Sequence, residues 1–453
     1  LPYASTTART ENTGATTISK SIKIGVIGAG SAQFSLGLVR DLCLTPSLAG
    51  TTVSLMDIDV ERAEMVRDLA ERYVKEIGGD LRFEVAQTRE DAISEADFVI
   101  NSASTGAHGA RSFAQIHDLR FYVEVARDIE RISPDAWLIQ ISNPVFEGTT
   151  AQTRETGAKV IGLCHGAHHG VAELARGLGL GESEVEWEAP GLNHVVYLTH
   201  FTYKGEDAYP LLDRWIENEA EEYWRTYEPD YNENQLSRAA IEQYRMVGLI
   251  PLGDTPRAGG WWFHSDDDTK RRWFGPLGGF DSELGWSRYI DKLEARREQM
   301  FEVVNDPSSS LTGVFPAEKS DEQMVPIIDA LANGNAGRFQ VNIPNNGLIY
   351  GLPNDMSVEV PAYVSARGVQ GMRIGKLPDN LMLQVLLPRV VQAERSLGFA
   401  KNPNRGLMLQ MILNDRGNFN NKPLPMVESY DEAVTLMDKF LSEDSELAAL
   451  LGG

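Results

Sequence analysis

Cysteine is nearly absent: Cys43 and Cys164 are the only two in 453 residues. Two thiols are too few for a disulfide framework, so the core must hold the fold, and the cytoplasm is the expected location. No apolar run approaches the roughly 18 residues of a membrane span, and no signal-peptide hydrophobic region is seen. Positive charge is also scarce, with 42 Lys+Arg against 65 Asp+Glu and a formal net charge of −23. Such a surface repels phosphate backbones and anionic lipid, so nucleic acid and membranes are not expected partners. What is present, 42% hydrophobic and 24% charged residues, is the composition of a folded chain with room for one large or two to three ordinary domains.

Residues 1–20 hold six threonines and almost no large apolar side chains. They are expected to be a flexible tail or an expression remnant, outside the fold. From Ser21 the pattern changes. Short β-rich runs are predicted at Ile22 to Ile27, Val53 to Met56, Phe83 to Val85, Phe98 to Asn101, Trp137 to Ser142 and Val160 to Leu163, with helical patterns such as Glu61 to Glu76 between them. This alternation predicts a Rossmann-type, doubly wound parallel sheet, an α/β fold, over residues 21–165. For residues 166–453 an α+β domain for substrate and oligomerisation is expected, closing over the carboxyl edge of the sheet. In it Tyr197 to Tyr203 reads as a strand, and Tyr209 to Tyr227, Ser237 to Val247 and Leu381 to Leu397 read as helices.

Gly28-Ala-Gly30-Ser31 follows a predicted strand and opens a predicted helix, the context that a dinucleotide fingerprint requires. Glycine lets the backbone approach a pyrophosphate, and the helix N-terminus supplies N–H donors. Gln33 stands where a third glycine is usual, and an ordinary strand-to-helix turn is the alternative. Asp57 closes the second strand, where a carboxylate accepts from both ribose hydroxyls and repels a 2′-phosphate, which favours NAD over NADP. Further on, Asn143-Pro144 ends a predicted buried strand. It is either a turn or an amide that bridges cofactor and substrate hydroxyls. Next comes Gly162-Leu-Cys164-His165-Gly166-Ala-His168-His169, then Gly191-Leu-Asn193-His194. Three of the eight histidines lie beside one of the two cysteines, at a strand's carboxyl end. A Cys and His pair with open positions suits a divalent ion, although a buried Cys and hydrogen-bonded histidines would look the same.

Taken together, Gly28-Ala-Gly30-Ser31, Met56-Asp57-Ile58-Asp59, Ser142-Asn143-Pro144, Gly162-Leu-Cys164-His165 and Gly191-Leu-Asn193-His194 resemble glycoside hydrolase family 4. Asn345-Asn346-Gly347, Leu352-Pro353 and Val358-Glu359-Val360 resemble its C-terminal part, so the likeness runs over residues 22–398. The resemblance implies a glycosidase that uses NAD⁺ as a built-in redox catalyst, an exception to two-carboxylate hydrolysis. It implies transient oxidation at C3, C1–C2 elimination, water addition and re-reduction, with a divalent metal, Mn²⁺, held by Cys164 and His194. A Cys ligand by itself would point to zinc, so Mn²⁺ rests on the resemblance. The cofactor contacts are then Gly28, Gly30, Ser31, Asp57 and Asn143.

Two stretches depart from the family pattern. A family loop after the fourth strand is missing, and Gly106 to Arg111 runs almost directly into Asp118-Leu-Arg120, leaving His108 and His117 as candidate general acids. The other is Pro251-Leu-Gly-Asp254-Thr-Pro-Arg257, followed by Trp261, Trp262, His264, Lys270, Arg271, Arg272 and Trp273. Asp254 is the first candidate base, with Tyr244 behind it. Arg257, Trp262 and Lys270, with Asn143, His165 and Asn193, are the expected substrate contacts. The basic and aromatic residues would suit an unphosphorylated anionic sugar, a uronide or the sulfoquinovoside cleaved by related NAD-dependent enzymes. A solvated basic loop is the alternative. An NAD-dependent 2-hydroxy acid dehydrogenase and a non-enzymatic NAD sensor are the rival functions. The expected assembly is a homodimer or homotetramer.

Overall fold

Six runs of β-branched and aliphatic residues form the parallel half of a sheet: β1 Lys23–Ile27, β2 Thr51–Met56, β3 Leu81–Val85, β4 Phe98–Asn101, β5 Trp137–Gln140 and β6 Lys159–Gly162. The computed structural model describes residues 21–105, 114–233, 235–258, 267–280, 282–306, 308–320, 322–414, 427 and 429–452. The first twenty residues therefore lie outside the described residues. The strand order β3-β2-β1-β4-β5-β6 is that of a dinucleotide-binding sheet. Its central strands read as continuous apolar runs because helices cover both faces: Ile24, Val26, Val99 and Ile100 are all buried. Those helices are α1 Ala32–Cys43, α2 Val60–Ile77, α3 Arg89–Ile93, α4 Ala114–Ile132, α5 Val145–Glu155 and α6 Gly166–Gly177. Local chemistry sets their ends. Asp59 accepts from the Arg62 N–H at 3.1 Å to start α2, and Gly78, at φ 75°, ends it.

The second half continues the same sheet instead of only closing over its edge. It contributes β7 Val185–Glu188, β8 Gly191–Leu192, β9 Val195–Tyr197, β10 His200–Tyr203, β11 Glu206–Asp207, β12 Pro251–Leu252, β13 Gly337–Pro344, β14 Ser357–Ser365 and β15 Gly368–Gly371. Strand β13 joins β6 antiparallel at Asn342 and Gly162. Then β14, β8, β9 and β12 follow outward, β15 pairs with β14, and β7, β10 and β11 form a separate small sheet. The helices α7 Tyr209–Asn218, α8 Ala220–Thr226, α9 Arg238–Val247 and α10 Thr255–Ala258 pack around this end. Among the described residues no helix is long and apolar enough to cross a membrane.

Three elements differ from expectation. The Tyr197 to Tyr203 run is two strands in two sheets: Tyr197 pairs with Pro251, whereas Phe201 pairs with Trp187. Tyr197 and Leu198 are successive and both buried, which a strand with one solvated face does not allow. The Tyr209 to Tyr227 helix breaks at Glu219. In the Leu381 to Leu397 run, a π-turn at Met382–Leu386 precedes the helix Leu387–Lys401, beside Pro388, which has no N–H to give.

Candidate active site

At the carboxyl end of β1 the two glycines have steric reasons to be there. Gly28 sits at φ 88°, and a Cβ on it would lie 2.6 Å from the Ala103 nitrogen. A Cβ on Gly30 would lie 2.7 Å from Oδ2 of Asp57. Asp57 also binds the turn directly. Its Oδ2 accepts from the Gly30 N–H at 2.7 Å and its Oδ1 from the Asp59 N–H at 3.0 Å. Ser102 braces the other side by donating to the Gly28 carbonyl at 3.0 Å. Ser31 caps α1 and is exposed. Asp57 and Ser102 thus fix the turn through bonds to its backbone.

Two strands along, buried amides position the Asn-Pro turn. Asn101 and Gln152 both donate to Oε1 of Gln140, at 2.9 and 2.8 Å, and Gln140 donates onward to the Ser142 carbonyl at 2.8 Å. The Tyr122 hydroxyl donates to the Asn143 carbonyl at 2.7 Å. Asn143 itself remains exposed, ahead of the first turn of α5.

Cys164, after β6, faces a carboxylate. A Cβ on Gly166 would lie 3.5 Å from the Cys164 sulfur and 3.9 Å from Oδ2 of Asp254, so both groups flank one small space. Opposite stands His194, in the two-residue turn between β8 and β9, at φ 63°. A non-glycine residue in that region is strained, a cost that concentrates at functional sites. Its Nε2 lies 3.5 Å from Oδ2 of Asp254, whose Oδ1 accepts from Arg257 at 2.9 Å. Burial alone would raise the Asp254 carboxyl, but Arg257 and His194 hold it well below the usual carboxylate range. Burial, with Glu359 and Asp254 nearby, pushes the Cys164 thiol up to about 12. Burial lowers the His194 imidazole, which keeps a neutral ligand nitrogen available. Cys164 and Asp254 flank one space and His194 faces Asp254, in a field that disfavours further negative charge; the three donor atoms are not all within 4.8 Å of one another, so Cys164 and His194 are the pair suited to a divalent cation, with Asp254 beside them.

The structure brings Cys164, His194, Asp254, Arg257 and Asn193 together, with the exposed His165 close enough to act on Asp254 electrostatically. Two other candidates are engaged elsewhere. The Tyr244 hydroxyl donates to Asp213 at 2.8 Å and its ring stacks on Tyr209. His117 holds Asp444 at 3.0 Å through Nε2 and faces Glu446 through Nδ1. Those three have ligand-type atoms within 4.8 Å of one another, with the two carboxylates on opposite nitrogens of the ring. Asp118 is likewise occupied, by the Thr105 N–H at 2.6 Å. Lys270 is buried in its helix. His108, Trp261, Trp262 and His264 lie outside the described residues. Arg271, Arg272 and Trp273 line a cavity of about 450 Å³ with Tyr223 and Trp224. That cavity runs along the C-terminal half of α6, with Glu173, Arg176 and Gly177 in its wall, and its Gln235 accepts from the Gly253 N–H at 2.9 Å.

Sequence reasoning missed two buried carboxylates. Glu359, on β14, accepts from Asn193 at 2.9 Å. Glu147, in the first turn of α5, pairs with Arg389 at 2.7 Å, and both act on His194. The available signal was an acidic residue inside an otherwise apolar run, Val358-Glu359-Val360.

Fold and site define a Rossmann-type α/β enzyme whose candidate site gathers at the carboxyl ends of its parallel strands. A model of family 4 glycosyl hydrolases matches residues 23–120 and 110–180, and one of that family's C-terminal domain matches residues 189–416. The chain belongs to the family 4 glycosyl hydrolases and is a glycosidase. It is 25% identical to an alpha-galactosidase of Bacillus subtilis over 79% of this chain and 85% of that one. To an alpha-galacturonidase of Thermoanaerobacter italicus it is also 25% identical, over 87% and 91%. The fold matches a crystal structure of a putative glucosidase from Bacillus subtilis with a TM-score of 0.76 at 23% identity, covering 93% of this chain and 100% of that one. A 6-phospho-alpha-glucosidase from gut microorganisms, solved with NAD and Mn²⁺, matches with a TM-score of 0.72 at 18% identity, covering 94% and 99%.

Proposed function

We propose that this glycosidase uses NAD⁺ and a divalent ion, Mn²⁺, to cleave glycosides of an unphosphorylated anionic sugar, a uronide or a sulfoquinovoside. One observation carries the reading: the Gly28–Gly30 turn with Asp57 opens onto the same strand edge as Cys164, His194 and Asp254. Relatives named alpha-galacturonidase support the uronide, since four of them match 87% of this chain at 24–25% identity. When bound, NAD⁺ supplies a hydride acceptor and the ion a Lewis acid for sugar oxygens. The chain's part is positioning and proton transfer. Gly28 and Gly30, lacking side chains, let the pyrophosphate approach the turn, Ser31 stands beside it at the start of α1, Asp57 takes the ribose, and Asn143 reaches the sugar hydroxyls. Cys164 and His194 hold the ion. Asp254 is the base, restrained while Arg257 is paired with it. An anionic sugar that draws Arg257 away would raise its basicity at the moment of binding.

A panel of aryl galacturonide, glucuronide, sulfoquinovoside and glucoside, with and without NAD⁺ and Mn²⁺, tests the proposal. Cleavage of an anionic member that needs only catalytic NAD⁺, with deuterium entering C2 in D₂O, is expected. Net NADH accumulation without cleavage would make the protein a dehydrogenase. Equal rates on the glucoside would remove the anionic preference.

A further inference from the structure

We propose that Glu359 is a positioning residue that fixes the two candidate metal ligands, Cys164 and His194, relative to each other. This rests on the metal-site reading above. The two ligands come from opposite halves of the sheet, Cys164 from the end of parallel β6 and His194 from the antiparallel β8–β9 turn. Glu359 stands at the seam between them. It pairs with Asn342 of β13 on one side and Gly191 of β8 on the other, and Asn342 in turn pairs with Gly162 of β6.

Its carboxylate is 2% exposed and meets no Lys or Arg among the described residues; instead three amides converge on it. Asn193 Nδ2 donates to Oε2 at 2.9 Å, Asn342 Nδ2 to Oε2 at 3.4 Å, and Gln340 Nε2 to Oε1 at 3.4 Å. A carboxylate buried without a cation is costly to keep, and a leucine would fill the same space more cheaply. The Asn193 side chain also acts on the Cys164 thiol, easing its ionisation. One amide therefore lies between the carboxylate that it is bonded to and the candidate sulfur ligand, while its own backbone leads into His194 at φ 63°. Holding that amide sets both the sulfur and the strained turn. Glutamine at 359 has one acceptor oxygen and turns its NH₂ either towards Gln340 or towards Asn193 and Asn342, all of them donors, so at least one amide contact is lost together with the charge. The hold on Asn193 loosens, and with it the spacing of the two ligands.

The test uses the full chain, with Mn²⁺ affinity read by electron paramagnetic resonance of the free ion and the thiolate-to-metal absorption of Co²⁺-loaded protein as a second readout. Cys164→Ser and His194→Ala report on the metal site itself. Glu359→Gln is expected to weaken Mn²⁺ binding by roughly 10–100-fold and to diminish the Co²⁺ band. NAD⁺ affinity and the melting temperature in chelator should stay near those of the parent. Asn193→Ala should weaken Mn²⁺ similarly, and the double variant should be no weaker than Asn193→Ala alone, because both changes cut one connection. If Glu359→Gln does not fold, Glu359→Asp, which keeps the charge on a shorter arm, should show a smaller loss on both readouts. Parent-like Mn²⁺ affinity in both Glu359 variants, or fully additive losses in the double variant, would overturn the positioning role. A parent protein that binds no Mn²⁺, or binds it unchanged in Cys164→Ser and His194→Ala, would overturn the metal site itself.

Discussion

At the scale of single residues, two carboxylates make opposite demands. Asp57 accepts backbone N–H bonds from Gly30 and Asp59 and so shapes the turn as well as offering itself to a ribose. Asp57→Ala should cost about 1.5–3 kcal/mol of NAD⁺ binding, roughly 10–100-fold in affinity. Titration calorimetry checks this, and unchanged affinity would take Asp57 out of the site. Glu173, on α6, is half-buried beside His169, whose Nδ1 lies 3.3 Å away, and burial with Glu233 nearby pushes its carboxyl up to about 8 from an ordinary 4.5. The folded protein therefore holds a proton that the unfolded chain releases between those values, and stability falls as pH rises from about 5 to 8. Glu173→Gln should lift the urea midpoint at pH 8 and change it little at pH 5. A variant whose midpoint follows the parent at both pH values would contradict this assignment.

At the scale of elements, the site depends on how closely α6 meets the loop before Asp254. A Cβ on Gly170 would lie 2.4 Å from the Gly253 nitrogen, a backbone atom that cannot yield without moving the loop. Gly170→Ala should destabilise by about 1–3 kcal/mol and lower activity. Gly37→Ala, in α1 with nothing within 4 Å of the new atom, should instead stabilise by about 0.5–1 kcal/mol. Thermal melts of the two variants moving in opposite directions are the expected result. The helix Leu387–Lys401 is fastened to α5 by Arg389 on Glu147, whose side chain is 2% exposed and whose Oε2 has no hydrogen-bond partner among the described residues. Arg389→Ala would leave that charge buried alone, at a cost of about 3–5 kcal/mol, and a Glu147→Met/Arg389→Met double variant should recover most of it. Equilibrium unfolding measures both.

At the scale of the whole molecule, the charge of −23 sets the approach of an anionic sugar. The described cations nearest the site are paired locally, Arg257 with Asp254 and Arg389 with Glu147, so long-range repulsion prevails. Raising ionic strength from 0.01 to 0.15 M shortens the Debye length from about 30 to 8 Å. The kcat/KM for a uronide should then rise a few-fold while that for a neutral glucoside stays flat. A fall with salt would show that unpaired cations line the entrance.

Local pattern determined the parallel half of the sheet, the glycine turn and the helices between strands. In those stretches the apolar spacing and the turn residues are dictated by neighbours close in sequence, as Ile24 and Val26 inside β1 and Gly28 at positive φ illustrate. It also marked Cys164 and His194, because each stands next to a strand end. Tertiary structure alone decided that β13 and β14 extend the same sheet, since polar Gln340, Asn342 and Glu359 lie inside and break the apolar pattern that marks a buried strand. It also decided which charges meet. Asp254 meets Arg257 three residues on, but His194 reaches it from another element, as do the partners of Glu147 and Glu359, and no local periodicity encodes an amide contact across 166 residues, the separation of Asn193 from Glu359.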